Sequence, residues 1–326
     1  MMLRAEFVRE EMNRKGESRM PFLFGVDFEM NQGFFFENPL RPLPVQFFVK
    51  GVGNSLLLRT KKVASSVLSF MPEPIECYAR RFSAVRQALL HGDSFLLNLT
   101  VKTPVDIPFS LENIFQYCES PYKLYVPGRF VCFSPESFVE ISDGFIRSFP
   151  MKGTIDASLP DAEKRLIDDE KELGEHYTIV DLIRNDLNRV AKDVRVARFR
   201  YIDRIRTMGT DILQTSSEIE GRLNGNYYSH LGDIIFELLP AGSVSGAPKE
   251  ATLSVICKAE EKPRGFYCGV FGYFDGRKLQ SAVLIRYIEE ENGCFFFRSG
   301  GGITINSRLQ DEYEEVMKKI YLPVYQ

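Results

Sequence analysis

Residues 149–190 read FPMKGTIDASLPDAEKRLIDDEKELGEHYTIVDLIRNDLNRV, and the rest of the chain is organised around them. The stretch opens with Lys152 beside a Gly-Thr turn, in Pro150-Met151-Lys152-Gly153-Thr154. A charged, helix-like run follows, in which Glu172 and Glu175 stand three residues apart. On a helix, positions i and i+3 share a face, so these two carboxylates point at the same volume. Taken alone, the pattern more often marks a turn lysine followed by a solvated acidic helix. The flanking sequence has to decide.

A chain of 326 residues can form one large domain or two ordinary ones, and it can bury a sizeable core. No internal repeat, low-complexity segment or Gly/Ser-rich linker divides it, so a single domain is expected over 1–326. The net charge of -3 gives no reason to expect nucleic acid or an anionic membrane as partner. An acidic small substrate would then need local cations, from Lys, Arg or a metal. Six cysteines without a CxxC pair argue against a zinc site and against a disulfide framework. Residues 1–20 are charged throughout, which speaks against a signal peptide, and no apolar run approaches the ~18 residues of a membrane span. A cytoplasmic protein is expected.

Periodicity supplies the elements. Tyr78, Phe82, Val85 and Leu89 repeat at helical spacing over 74–90, with Gly92 placed as a C-terminal cap. Strands are predicted over 22–28, 46–49, 94–101, 123–126, 129–133, 138–141 and 145–149, the later ones separated by Pro-Gly and Asp-Gly turns. Further strands are predicted near 194–199 and 212–219, then over 265–274, 279–289 and 294–299. Helices are predicted over 227–239, 249–259 and 310–321, whereas 1–20 reads either as a short polar helix or as a frayed end. Many strands interleaved with a few long helices give an α/β or α+β unit.

Several groups in this frame can carry chemistry. Glu312 and Glu315 on the last helix repeat the i, i+3 spacing, so two helices each offer a carboxylate pair. Together they can cage a hard divalent cation such as Mg²⁺. Without one, two like charges at ~4 Å repel by roughly 4 kcal/mol at an effective dielectric near 20; solvated helix faces are the plainer alternative. Gly300-Gly301-Gly302 lets the backbone approach a ligand and offers N–H groups to an anion, though a Gly-rich hairpin has the same composition. Residues 240–249, PAGSVSGAPK, form a second small-residue loop entering a helix, and no GxxxxGK[ST] phosphate loop is present. Arg286 interrupts an apolar strand, as a structural ion pair or as a carboxylate fork. Glu136 precedes Lys152 by a hairpin, which brings carboxyl and amine together for acid/base or nucleophilic work, or for a plain salt bridge.

Taken together, FSPESF (133–138), PMKGT (150–154), ELGEHYTIVDLIRNDLNRV (172–190), PAGSVSGAPK (240–249), RGFYCGVFGY (264–273), VLIR (283–286), GGGI (300–303) and EYEEVMKK (312–319) resemble the chorismate-utilising enzymes. Within that family they look most like the aminodeoxychorismate synthase component I group. The resemblance implies a single large two-layered β-sheet core with helices outside, and an N-terminal stretch of ~70 residues reduced relative to the family. It implies that Glu175 and Glu315 ligate Mg²⁺ directly, with Glu172 and Glu312 behind bridging waters. It also implies that Lys319 assists at the metal-bound carboxylate, and that Arg286, Tyr267 and the backbone at Gly301 and Gly302 take the enolpyruvyl carboxylate. Gly153, Thr154, Ser243 and Gln214 are further substrate-binding positions on the same ground. Lys152 would add to ring carbon 2 while Glu136 protonates the departing 4-hydroxyl; ammonia would then give 4-amino-4-deoxychorismate.

Reaction type turns on two positions. In the anthranilate synthase component I group alanine normally stands where Lys152 is. The isochorismate and salicylate synthases carry a base lysine on an earlier strand, where this chain has Leu96. A leucine cannot activate water, so isochorismate formation is disfavoured. For Lys152 to act as a nucleophile its pKa must fall below the usual ~10.4, by burial or neighbouring cations. Gln214 replaces a histidine usual in relatives, and an amide donates a hydrogen bond but shuttles no proton. The N-terminus is shorter than the tryptophan-binding lobe of longer relatives, so tryptophan feedback is not expected. No cysteine lies in a Gly-x-Cys-x-Gly nucleophile turn, so ammonia is expected from a separate glutamine amidotransferase subunit. The competing readings are anthranilate synthase component I and a non-catalytic chorismate-binding or scaffold subunit.

Overall fold

The computed structural model describes residues 2–55, 68–205 and 211–323. The predicted hairpins form as their turn residues dictate. Strands Tyr122–Val126 and Phe130–Ser134 pair antiparallel around Gly128, whose φ is +65°. Strands Ser137–Ser142 and Phe145–Ser148 pair around Asp143 and Gly144, both in the left-handed region that a two-residue hairpin turn of this kind requires.

The strands assemble into two antiparallel sheets. Among the described residues the first has ten strands, running from Leu3–Arg4 through Gln32–Glu37, Phe22–Val26, Val270–Phe274 and Leu279–Val283 to Ser137–Ser142 and Phe145–Ser148. Its far edge is built on the long strand Ile212–Arg222, which pairs with Phe145–Ser148, Met151–Asp156 and Lys192–Ile205. The second has nine strands, centred on Leu96–Asp106, Cys294–Ile303, Tyr287–Glu291 and Phe130–Ser134. One apolar cluster joins residues of both sheets, with Val26, Ile146 and Phe271 from the first and Leu124, Val101 and Phe130 from the second. The two layers expected from the resemblance are therefore present. The segment before residue 56 feeds both sheets, through Phe22–Val26 and Gln46–Val49.

At two places the chain leaves one sheet and enters the other. Pro135-Glu136 separates Phe130–Ser134 of the second sheet from Ser137–Ser142 of the first, and Leu284–Ile285–Arg286 separates Leu279–Val283 of the first from Tyr287–Glu291 of the second. The crossovers are tied to each other: the Phe133 N–H donates to the Arg286 carbonyl at 3.0 Å, and the Val283 N–H to the Glu136 carbonyl at 3.2 Å. The strand predicted over 279–289 is thus two strands, and Arg286 lies in the bend between them with φ +52°. The apolar run gives no alternation from which that break is legible.

Helices close the outer faces. Residues 1–20 contain the helix Ala5–Glu17, which buries Val8 and Met12 and packs against helix Leu231–Leu238. Gly16 and Gly232 permit the contact: a Cβ on Gly16 would lie 2.2 Å from the Tyr228 carbonyl oxygen, and one on Gly232 2.1 Å from that of Arg9. Helix Ile75–His91 ends at Gly92 with φ +89°, as its spacing predicts. Helix Glu170–Asn188 starts where the Asp169 carboxylate accepts the Glu172 N–H at 2.9 Å. Lys152, however, stands in a strand, Met151–Asp156, and not in a turn. Gly153, at φ +77°, takes up a register shift against Ile212–Arg222 there.

Candidate active site

A cavity of about 1050 Å³ opens where the crossovers, helix Glu170–Asn188 and helix Leu309–Lys318 meet, and its walls come from both sheets. Glu136, Lys152, Glu175, Tyr267, Arg286 and Lys319 all line it. Gly153, Gln214, Ser243, Gly301, Gly302, Glu312 and Glu315 line it as well. Thr154 is exposed on its strand, paired with Gln214, and lies outside the lining; Glu172 also stands outside it, with Oε2 3.2 Å from where a Gly153 Cβ would be.

Glu136 sits on the first crossover. Its Oε1 accepts a 2.5 Å hydrogen bond from Ser243 Oγ, and its backbone N–H donates to Ser134 Oγ at 3.1 Å. Burial raises its pKa above the usual carboxylate value, and this outweighs the Ser243 bond and the nearby charges of Arg286, Lys319 and Lys152. That is the direction a general acid needs. Ser243 belongs to the short helix Gly242–Ser245, and a buried arginine fixes this segment. Arg264 donates to the carbonyls of Val244 and Asn98 at 2.8 and 2.6 Å, and pairs with Glu260 at 2.7 Å.

Lys152 faces the acidic side. Its Nζ lies 2.6 Å from Glu175 Oε2. Burial alone would lower the ammonium pKa, but the charges of Glu175, Glu172 and Glu315 together raise it. The lowered value expected of a nucleophilic lysine is therefore not found in this arrangement: opposite charge outweighs desolvation. Across the cavity, Glu312 Oε2 and Glu315 Oε1 flank Gly301 at 3.4 and 3.9 Å from its would-be Cβ. Lys319 Nζ pairs with Glu315 at 2.7 Å and donates to the Gly300 carbonyl at 2.8 Å, while Ser307 Oγ donates to Glu312 at 2.7 Å. These are hard oxygen donors of the kind Mg²⁺ selects. Among the described residues no three such side chains converge as a metal cluster, and Lys152 and Lys319 take the inner carboxylates.

The opposite end is cationic. Arg286 Nε is buried without a hydrogen-bond partner, and its guanidinium lies 5.3 Å from the Tyr321 ring centre. Tyr267 is buried, and desolvation pushes its hydroxyl pKa well above the ordinary value. The three glycines form no loop: they lie in strand Cys294–Ile303, paired with Thr100, Leu99 and Asn98. Strand Tyr287–Glu291 covers that strand only up to Arg298, so beyond it one edge is open and alternate N–H groups face it. Leu96 also lines the cavity. Sequence reasoning missed Arg298, a buried cavity-lining arginine whose available signal was a charge directly after the aromatic run Phe295-Phe296-Phe297.

Two facing sheets, crossed by the chain where an acid and an arginine stand, with a lysine among carboxylates, define the class. The chain belongs to the chorismate binding enzyme family, whose sequence profile matches residues 60–324. It is 48% identical over 336 residues to an uncharacterized PabA-like protein of Haemophilus influenzae, covering 97% of this chain and 96% of that one. It is also 31% identical over 259 residues to aminodeoxychorismate synthase component 1 of Bacillus subtilis, covering 75% of this chain and 54% of that protein. The chain thus matches about half the length of that second relative. Among solved structures, anthranilate synthase component I from Streptococcus pneumoniae superposes with a TM-score of 0.64 at 26% identity, over 79% of this chain and 60% of that one. Among the described residues no helix is long and apolar enough to cross a membrane.

Proposed function

We propose that the protein aminates chorismate at carbon 4, giving 4-amino-4-deoxychorismate on the route to 4-aminobenzoate and folate, with ammonia supplied by a separate glutamine amidotransferase subunit. One observation carries this reading: an amine, Lys152, lines the chorismate-family cavity together with an acid, Glu136. The likeness to aminodeoxychorismate synthase component 1 supports it.

In this reaction Arg286, Tyr267 and the N–H group presented on the open edge of the Gly301-Gly302 stretch bind the enolpyruvyl carboxylate. With its ammonium proton passed to solvent, the Lys152 amine bonds to ring carbon 2, both conjugated ring double bonds shift toward carbon 4, and the 4-hydroxyl leaves, taking the Glu136 proton and departing as water. Ammonia then bonds to carbon 4, both ring double bonds shift back, and the C2–N bond to Lys152 breaks with its electron pair returning to the amine. The Glu136 carboxylate takes the surplus proton from the new C4 ammonium, which restores the acid. Ser243 holds the Glu136 carboxyl in place through both steps. Glu175 and Glu315, with Glu172 and Glu312 behind them, would hold a Mg²⁺ ion, which would supply an anchor for the second chorismate carboxylate and offset the carboxylate charge that keeps Lys152 protonated.

The test is incubation of the purified chain with chorismate, Mg²⁺ and ammonium chloride, with products identified by mass spectrometry. The expected product is 4-amino-4-deoxychorismate, and glutamine in place of ammonium should give none until the partner subunit is added. Anthranilate or isochorismate as the main product overturns the reading. Anthranilate synthesis is the second reading, favoured by the superposition on anthranilate synthase component I and opposed by Lys152.

A further inference from the structure

The cationic end of the cavity holds more charge than one arginine. Arg298 lies on strand Cys294–Ile303, directly opposite Tyr287 on one side and Lys102 on the other. It is only 7% exposed, yet it lines the same cavity as Arg286 and Tyr267. Its guanidinium carbon is 5.3 Å from the Tyr267 ring centre. One terminal nitrogen, Nη1, contacts Glu289 Oε1 at 3.3 Å, and Glu289 is itself paired with Lys102 at 2.8 Å. Nε has no hydrogen-bond partner, and neither does Nε of Arg286. A buried guanidinium nitrogen without an acceptor is costly unless a ligand fills the vacancy. Two of them at one end of one cavity mark a place for an anion.

We propose that Arg298 is a second ligand of the substrate's enolpyruvyl carboxylate, gripping it together with Arg286, while Glu289 and Lys102 hold the Arg298 fork in position. This rests on the assignment of the Arg286 end to that carboxylate. A planar carboxylate has four lone-pair sites, enough for two guanidinium groups, and each charge-assisted bond has its strongest effect where water is excluded. The arrangement makes the site selective for a substrate carrying a carboxylate at this end. It also gives Tyr267 a fixed neighbour over its ring face.

The experiment measures chorismate affinity with Mg²⁺ present and no nitrogen source, so it is independent of which product the enzyme forms. Arg298→Lys and Arg298→Gln should each weaken chorismate binding by roughly 10- to 100-fold, the effect of losing one charge-assisted hydrogen bond. Binding of a ring analogue lacking the enolpyruvyl carboxylate should change less than about threefold, within the scatter of a contact not made. Arg286→Lys should weaken chorismate in the same way, and the Arg286→Lys/Arg298→Lys pair should lose less than the product of the two single effects. If Arg298→Gln does not fold, Arg298→Lys and Glu289→Gln carry the test, the latter by loosening the Arg298 fork. Unchanged chorismate affinity in Arg298→Lys, with Arg286→Lys impaired, overturns the role of Arg298 alone. Equal losses for chorismate and the analogue reduce Arg298 to a structural support and also overturn it. An unimpaired Arg286→Lys removes the carboxylate assignment and the proposal with it.

Discussion

Glu260→Gln tests whether the buried pair behind the site works as the geometry says. Arg264 and Glu260 face each other at 2.7 Å with side chains 1% and 5% exposed. Arg264 spends its remaining donors on the carbonyls of Val244 and Asn98, and Glu260 also accepts the Thr100 N–H at 2.8 Å. An amide at position 260 keeps only one acceptor oxygen where Glu260 uses two, so it loses one bond from Arg264 and leaves the guanidinium charged with no counter-charge. Removing one partner of such a pair costs about 3–5 kcal/mol. For 326 residues, an unfolding entropy of about 2.1 cal/mol/K per residue comes to roughly 0.7 kcal/mol/K. The melting temperature should therefore fall by about 4–7 °C in a calorimetric scan. The double variant Glu260→Gln/Arg264→Met removes both charges and should melt above the single variant, because two apolar or neutral groups need no mutual compensation. A double variant that melts below Glu260→Gln would refute the argument, since the cost would then lie in lost packing and hydrogen bonds rather than in an unpaired charge. Because Arg264 also holds the carbonyl next to Ser243, ammonium-dependent kcat should drop in Glu260→Gln even at temperatures where it is fully folded.

Three further outcomes are expected. Lys152→Ala should lose most 4-amino-4-deoxychorismate formation while still binding chorismate, and undiminished product in mass spectrometry would take the lysine out of the reaction. EDTA should abolish turnover and Mg²⁺ restore it, with Glu175→Gln and Glu315→Gln impaired far more than Glu314→Gln, whose side chain pairs with Gln310 and Lys318 outside the cavity lining; full rates in chelator would rule out the carboxylate cage. Lys123, buried with Nζ donating to the Phe115 and Cys118 carbonyls, has its pKa pulled down by desolvation to about 8, against about 10.4 unfolded. Below pH 8 it is charged in both states and its burial is a cost; above about 10.4 it is neutral in both and the cost is gone, so its contribution to stability rises with pH across that window by about 3 kcal/mol. In urea titrations the stability of the parent relative to Lys123→Met should rise by that amount from about pH 7 to about pH 10.5, and no change in that relative stability would show that Lys123 is not strained by burial.

Much of the fold was legible because its signals are local. The helical repeat of Tyr78, Phe82, Val85 and Leu89 and the left-handed Gly92 gave helix Ile75–His91 to within a residue. The Asp143-Gly144 and Pro127-Gly128 turns gave the hairpins. Three features were not legible for one shared reason: they depend on partners far away in sequence. Gln32–Glu37 is a strand because Phe22–Val26 pairs with it, and its Phe34-Phe35-Phe36 run shows no alternation. Lys152 is in a strand because Ile212–Arg222 supplies a ladder; locally, Pro150 and Gly153 read as a turn. Arg286 sits in a bend because the neighbouring sheet claims Tyr287, and an apolar run gives no sign of changing sheets. The carboxylate pairs were legible as faces of helices, but their setting was not: a helical wheel places Glu175 toward a cavity and cannot reveal that Lys152 already stands 2.6 Å from it.

The two ends of the site differ in what holds them, and this bears on how each can act. Glu136 and Arg286 stand on crossovers whose backbones are bonded to one another, Phe133 to Arg286 and Val283 to Glu136. Their spacing is set by main-chain ladders that extend into both sheets. A change there has to move a sheet, so Glu136 and Arg286 form a fixed frame against which the proposed substrate would be held. Lys152, Glu175, Glu315 and Lys319 are placed differently, by ion pairs between long side chains on two helices and a bulged strand. Such pairs re-form when charge is added or removed, at small cost at exposures like the 38% and 31% of the Lys152 and Glu175 side chains. The rigid end therefore suits recognition of a substrate of constant shape. The adjustable end suits a step in which an amine must change both its charge and its bonding partner. A nucleophile held by the ladder would gain position but lose the freedom to leave Glu175 for ring carbon 2, which is the movement the proposed reaction requires of Lys152.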